Sequence, residues 1–303
     1  MPTMPVTPPL SATRGGSAEE FAAHALEREQ ALVAWLQERR RVAIGFSGGV
    51  DSAYLACVAV DALGSANVLA IIGRSATYPA VQWETARRVA DDFGVPVVEV
   101  DTDEMHDPRY AANPVNRCYF CKTELWTKLI PAATARGFTV VVDGMNADDR
   151  GDYRPGAAAG REHEIASPLQ LAGMTKADIR ERSRVRGIPT WRKPSSPCLS
   201  SRLPYGTAVT IERLRQVEVA EEQLRRLGVR GDLRVRYHGE TARVEIDSHE
   251  LPRWIAPEGA AQVVAAVQSA GFAAVEIDPR GYRSGSLNVL AGVGPGSADP
   301  GSR

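Results

Sequence analysis

No apolar run in the 303-residue chain is long enough to span a bilayer, and the N-terminus has no hydrophobic signal core. A membrane-spanning or exported protein is therefore not expected, and the cytoplasm is the expected compartment. An excess of one charge is also missing, since 36 Lys and Arg face 37 Asp and Glu for a formal net charge of -1. Nothing in that balance pulls the whole molecule toward nucleic acid, which makes a polyanion an unfavoured main partner. Cysteine is scarce, with residues at 57, 118, 121 and 198 only, too few for a disulfide framework in a reducing compartment. Two familiar nucleotide signatures are absent as well: the Gly-Lys-Ser/Thr of a standard P-loop and the GxGxxG of a dinucleotide fold. What is present is the profile of a globular chain, with 44% hydrophobic and 24% charged residues.

Residues 1–16 and 291–303 are rich in small residues and proline and carry no apolar period, so both ends read as loose tails. Ser17-Ala-Glu-Glu20 has the capping-box form, and a helical pattern follows through Phe21, Leu26, Leu32, Trp35 and Leu36. Short apolar strands over 42–46, 68–72, 95–100 and 139–143 then alternate with helices over 51–62, 80–93 and 121–136. That alternation predicts an α/β fold, a doubly wound parallel sheet covered on both faces. Thr175-Lys-Ala-Asp178 caps another helix, which ends near Gly187. From 189 to 206 the texture turns proline-rich and aperiodic, the length and character of a functional loop. A helix over 210–227, strands over 233–237 and 242–246, a helix over 259–271 and a strand over 273–277 predict a smaller α+β unit. The expected organisation is a larger α/β domain over 17–190, a cysteine-bearing loop over 191–209 and a small α+β domain over 210–290. There is no internal repeat.

Ser47-Gly-Gly-Val-Asp-Ser52 closes the first predicted strand and opens a helix. Gly48 and Gly49 let the backbone approach a ligand, and the backbone N–H groups with the helix N-terminus form an anion site. Asp51 lies on the ligand side of the turn, and Ser47 and Ser52 add hydroxyl donors. A Gly-Gly turn ahead of a helix can be only a turn, but the full motif in this context favours phosphate. The motif resembles that of the PP-loop ATP pyrophosphatases over residues 41 to about 190. The resemblance implies cleavage of ATP between the α and β phosphates, with adenylation of a carbonyl or carboxyl oxygen. Asp143-Gly-Met-Asn-Ala-Asp-Asp149 ends another predicted strand and should face the phosphate loop. Asp148 and Asp149 suit Mg²⁺, which takes oxygen ligands, and equally suit a plain Asn/Asp turn.

Cys118-Tyr-Phe-Cys121 stands at a helix start, and Cys198 lies in the long loop. Three thiolates can hold a [4Fe–4S] cluster with one iron open, whereas structural zinc wants a fourth ligand. A chance or redox CxxC pair is the remaining reading. Cys57, inside the helix after the phosphate loop, reads as a buried thiol. Arg192, Lys193 and Arg202 near Cys198 suggest an activated nucleophilic thiolate.

Further motifs are Arg117-Cys-Tyr-Phe-Cys-Lys122, Pro197-Cys-Leu-Ser-Ser-Arg-Leu-Pro-Tyr-Gly206, Arg234-Val-Arg-Tyr-His238, Ala242-Arg-Val-Glu245 and Gly281-Tyr-Arg-Ser-Gly-Ser286. Together, and in this order, they resemble the LarE sulfur transferases over about residues 17 to 290. The resemblance implies adenylation of the carboxylates of pyridinium-3,5-biscarboxylic acid mononucleotide and their conversion to thiocarboxylates, in making the nickel-pincer nucleotide. In one form of the family a single cysteine at the position of Cys198 gives up its sulfur. In the other, three cysteines bind an iron–sulfur cluster, and Cys118, Cys121 and Cys198 match that form. Arg234 and Arg236 alternate on one strand face and can fork onto a phosphate. The resemblance adds Lys122 and Glu245 to that substrate phosphate site, at a subunit interface of a homo-oligomer, a trimer or hexamer.

Three other functions fit parts of this pattern. A tRNA thiolase joins a PP-loop to a three-cysteine cluster but calls for a basic face and the salt-dependent binding of RNA. An ammonia-using synthetase of the same fold leaves the cysteines without a task. A nucleotide-sensing or iron–sulfur module keeps the loop without turnover.

Overall fold

A computed structural model describes residues 17–150, 155–194 and 197–283. The expected tails, Ser195 and Ser196, and the last three residues of the 281–286 motif lie outside the described residues.

In chain order the first half runs α1 (Ala18–Arg39), β1 (Val42–Gly45), α2 (Val50–Leu63), β2 (Val68–Arg74), α3 (Ala80–Asp92) and β3 (Val97–Asp101). There follow α4 (Pro108–Ala111), α5 (Arg117–Thr134), β4 (Val141–Val142), α6 (Pro155–Glu162), α7 (Pro168–Leu171) and α8 (Lys176–Val185). The four strands form one parallel sheet in the order β3-β2-β1-β4. Val42 pairs with Val68, and Ala43 with Val141. Alternate residues feed opposite faces, as the strand period requires. Val42, Ile44, Ala70 and Ile72 join Leu32, Tyr54, Val89 and Ile179 on one side. Ala43, Leu69 and Ile71 pack with Trp126, Leu129 and Ala133 of α5 on the other. The sheet is thus buried on both faces, as its apolar strands predict.

Both expected capping boxes form. Glu20 N–H donates to Ser17 Oγ at 3.2 Å and Ser17 N–H to Glu20 at 2.7 Å; Thr175 and Asp178 repeat the arrangement at α8. A buried carboxylate then ties three helices together. Glu29 of α1 takes Arg182 of α8 at 2.9 Å, Arg186 at the C-cap of α8 at 2.8 Å and the Tyr54 hydroxyl of α2 at 2.5 Å.

The second half holds α9 (Ile211–Arg226), β5 (Leu233–His238), β6 (Thr241–Ile246), α10 (Leu251–Ile255), α11 (Pro257–Gln268) and β7 (Ala274–Ile277). β5 and β6 are an antiparallel hairpin, and β7 adds parallel to β6. Val217, Leu224, Val235, Val244, Trp254 and Val263 form its core, which also takes in Tyr110 of α4 and Leu199 and Leu203.

Several boundaries differ from the sequence reading. The helix expected from residue 121 begins at Arg117, so both cysteines of the CxxC sit inside its first turns. The strand expected over 139–143 shrinks to Val141 and Val142. The aperiodic stretch contains two 3-10 turns, Pro189–Arg192 and Leu199–Arg202. Short helices opening on proline at Pro108, Pro168 and Leu251–Pro252 were not anticipated; a proline in the first turn loses no helical bond, so it starts a helix as readily as it ends one. Among the described residues, no helix is long and apolar enough to cross a membrane.

Candidate active site

Strand order reverses between β1 and β4, the crevice where open parallel sheets bind ligands. The phosphate loop leaves β1 at that point. Gly48 has φ +63°, and a Cβ there would stand 2.5 Å from the Ala86 Cβ of α3, so only glycine lets the loop lie this close. Within the loop, Ser47 N–H donates to Ser52 Oγ at 3.2 Å. From α3 and the segment before it, Gln82 Nε2 and the Tyr78 hydroxyl both donate to the Ser47 carbonyl at 2.9 Å. Gly49 caps α2 with no side-chain bond, which leaves the helix N-terminus to a ligand.

The loop after β4 forms the opposite wall, as its strand-end position predicts. A Cβ on Gly144 would come within 3.1 Å of the Ser52 nitrogen. Asp51 takes Lys176 Nζ at 2.5 Å and Asn146 Nδ2 at 3.4 Å. Asp148 accepts the Lys176 N–H at 2.8 Å, and Asp149 accepts the Asn146 N–H at 2.9 Å. Asp149 thus closes a local capping box with Asn146, whereas Asp148 bonds the first residue of α8, 28 residues on. Burial pushes the Asp143 carboxyl up, against a 2.7 Å bond from the Ser167 hydroxyl.

The cysteines converge from two directions. Cys118 and Cys121, three apart on α5, share one helix face. Cys198 precedes the 3-10 turn, whose Leu199 N–H donates to the carbonyl of Thr77, beyond the end of β2, at 2.9 Å. Burial raises the Cys121 thiol well above its ordinary range; Glu104, Cys198 and Cys118 push the same way, and Lys122 opposes them. The three thiols thus lie within electrostatic reach of one another, with Cys118 exposed and Cys198 half-buried. Among the described residues, no group of three His, Cys, Asp or Glu side chains stands at the spacing of a single metal ion. Cys57 is a buried thiol, as expected, pushed up to about 12 by burial.

Of the cations expected to activate Cys198, Arg202 stands within the field of its sulfur, while the hydrogen bonds of all three go elsewhere. Arg202 forks onto Glu221 at 2.8 and 2.9 Å and donates to the carbonyls of Pro197 and Cys198, so it pins the turn through its backbone. Arg192 stacks over Trp191, and Lys193 donates to the Gly48 carbonyl at 3.2 Å. A further cation near the sulfurs is Arg117, 4% exposed and within the field of both Cys198 and Cys118. It donates to Asn113 Oδ1 at 3.0 Å and stacks over Tyr205, while its buried Nε has no hydrogen-bond partner among the described residues. Arg117 belongs to the cysteine motif, but only the fold reveals its orientation. Lys176 was missed for a similar reason, since its sequence signal is a capping box.

Arg234 and Arg236 do share a strand face, and that face is buried. Arg236 forks onto Glu245 at 2.8 and 3.1 Å, and Arg234 lies over the Tyr282 ring at 4.9 Å. Lys122 sits over Trp126 on α5, between Cys121 and Asp143 in the sense that its charge acts on both.

Residues 29–113 match the NAD synthase family model, a stretch that runs from α1 through the phosphate loop to just past α4. The chain is 34% identical over 261 residues to the pyridinium-3,5-bisthiocarboxylic acid mononucleotide synthase of Lactiplantibacillus plantarum, covering 86% of this chain and 94% of that one. The chain belongs to the LarE family. It is 43% identical over 251 residues to the uncharacterized protein slr1717 of Synechocystis sp., covering 83% and 93% of the two chains. Likeness to the NH(3)-dependent NAD(+) synthetase of Finegoldia magna is lower, 26% over 179 residues, with 54% of this chain and 72% of that one covered. As a LarE-family member with a PP-loop, the protein is an ATP-dependent enzyme of sulfur transfer.

Proposed function

We propose that this chain adenylates the carboxylates of pyridinium-3,5-biscarboxylic acid mononucleotide with ATP and converts them to thiocarboxylates, in building a nickel-pincer nucleotide. The observation that carries the reading is that the Cys198 segment is bonded to the ligand end of the ATP sheet. Leu199 N–H holds Thr77 at one side and Lys193 holds Gly48 at the other. An activated acyl group and a sulfur source therefore meet at one place.

ATP phosphates lie against the N–H groups of the loop and the start of α2, with Ser47, Gly48, Gly49, Asp51 and Ser52 around them. Mg²⁺ takes oxygen ligands, and Asp148 and Asp149 on the opposite wall are the carboxylates that would hold it and so neutralise phosphate charge. A substrate carboxylate oxygen attacks the α-phosphorus, the bond to the bridging oxygen breaks, and pyrophosphate leaves with the electron pair. A sulfur nucleophile next attacks the acyl carbon and AMP departs. Arg234, with Arg236, Glu245 and Lys122, binds the substrate phosphate and fixes the carboxylate near attack distance. A [4Fe–4S] cluster on Cys118, Cys121 and Cys198 would supply sulfide at the iron that no thiolate occupies. The donors fit such a group: cubane thiolates bind different irons and stand further apart than thiolates sharing one ion, and buried Arg117 offsets their charge. The ATP unit over 17–190, the loop over 191–209 and the unit over 210–290, assembled as a homo-oligomer, complete the proposal.

Replacing Cys118 and Cys121 together tests the sulfur source. The expected outcome after anaerobic reconstitution is loss of bound iron and sulfide and of thiocarboxylate formation, with pyrophosphate release retained. Full single-turnover activity in that variant, with Cys198 losing the mass of H₂S, would overturn the cluster and make Cys198 the donor.

A further inference from the structure

Several buried cations among the described residues come with carboxylates. Arg202 has Glu221, Arg182 and Arg186 share Glu29, and Arg236 has Glu245. Lys193, on the phosphate loop's side of the crevice, does not. Its ammonium reaches across to the phosphate loop and donates to the Gly48 carbonyl at 3.2 Å, and among the described residues no Asp or Glu pairs with it. An ammonium has three N–H donors, and one carbonyl satisfies one of them. A partly buried charge without a counter-ion is costly, so its persistence points to an anion that completes the site.

The backbone beneath it is held in place. Arg180 of α8 donates to the Lys193 carbonyl at 3.0 Å and to the Trp191 carbonyl at 2.5 Å. Pro194 follows, which keeps Lys193 extended, at φ -60° and ψ 129°. Only the flexible stem needs to swing for the ammonium to leave the carbonyl for a ligand on the same loop. Another lysine of the crevice, Lys176, is already committed to Asp51.

We propose that Lys193 is a catalytic residue of the adenylation step, its ammonium bonding the phosphates of ATP and holding the charge that gathers on the leaving pyrophosphate. The inference rests on the adenylating function proposed above. Charge builds on pyrophosphate as its bond to the α-phosphorus breaks, and a cation aimed there lowers the barrier. Burial alone brings Lys193 down to about 8, and a polyphosphate beside it restores the charged form.

The test compares Lys193→Met and Lys193→Arg with wild type, by pyrophosphate release on ATP and substrate, and by calorimetric binding of inorganic pyrophosphate alone. Lys193→Met should lower kcat for pyrophosphate release by about 10²-fold and weaken pyrophosphate binding about tenfold. Its melting temperature should not fall, since an unpaired charge is removed. Lys193→Arg keeps the charge and should stay within about tenfold of wild type in both. Wild-type pyrophosphate affinity and release in Lys193→Met would overturn the proposal, as would loss of both in Lys193→Arg at unchanged melting temperature. If wild type itself releases no pyrophosphate with this substrate, the function reading fails, and the binding comparison still decides Lys193.

Discussion

Arg236 donates from Nη1 to the carbonyl of Ser201 at 2.9 Å while its Nε and Nη2 hold Glu245. One guanidinium thereby fastens the β5–β6 hairpin to the turn that follows Cys198. Arg236→Ala leaves Glu245 buried beside a lost partner and should cost about 3–5 kcal/mol in urea unfolding. Arg236→Lys cannot reproduce the fork and should recover only part of that loss. Wild-type stability in the alanine variant would remove the fastening role.

Arg234 tests the substrate's phosphate instead. Arg234→Ala should weaken binding of the phosphorylated substrate more than that of its dephosphorylated form, by about tenfold for a lost charged hydrogen bond. Titrations showing equal losses for both ligands would take the phosphate away from this strand.

Gly48 and Gly49 are neighbours with different tolerances. Alanine at 48 combines φ +63° with a Cβ 2.5 Å from Ala86, so Gly48→Ala should lose at least about 1–3 kcal/mol and ATP binding with it. At Gly49 the nearest atom to a Cβ is Ser47 Oγ at 3.3 Å, and φ is -75°, so Gly49→Ala should fold within about 1 kcal/mol of wild type. Equal unfolding midpoints for the two variants would contradict this close packing of the loop on α3.

Arg202 pins a turn through Pro197 and Cys198 carbonyls and is balanced by Glu221. Arg202→Met should destabilise the fold by about 3–5 kcal/mol. It should also speed iodoacetamide labelling of Cys198 relative to exposed Cys118, read by peptide mass. An unchanged labelling ratio would show that the turn holds without the guanidinium.

Acid should act through Glu29. Burial alone would raise its carboxyl, but hydrogen bonds from Arg182, Arg186 and Tyr54 prevail and bring it from 4.5 to about 2. A depressed folded value means the stabilisation is complete above 4.5 and is lost as pH falls toward 2. Glu29→Gln should lower stability at neutral pH and flatten its dependence between those values. A variant whose urea midpoint falls as steeply as wild type across that window would place acid sensitivity elsewhere.

What was legible in the sequence is what local partners decide. Ser17 with Glu20, and Thr175 with Asp178, each form a cap from residues three apart, so each pattern names its own structure. Apolar runs of four or five residues announce buried parallel strands, and the phosphate loop follows from the first of them. The surroundings of Cys198 were less legible, because adjacency along the chain names only part of them. Arg192, Lys193 and Arg202 lie within six residues of it, yet they bond to Trp191, Gly48 and Glu221. Arg202 stands in the field of its sulfur, but so does Arg117, about 80 residues earlier, and no periodicity encodes that distance. The sequence reading overextends β4 because Thr139 and Val140 share the β-branched texture of Val141 and Val142, while only the latter two find register with β1.

The close approach of Gly144 to Ser52 joins segments about 90 residues apart, and this has a consequence on the ribosome. At typical synthesis rates of about 5–20 residues per second, the phosphate loop emerges several seconds before its opposite wall. The nascent chain can build β1, β2 and β3 while β1 still exposes an unpaired edge where β4 will dock. Until then the nucleotide crevice has one side only, so ATP cannot serve as an early folding template, and that edge is where chaperone dependence should be sought.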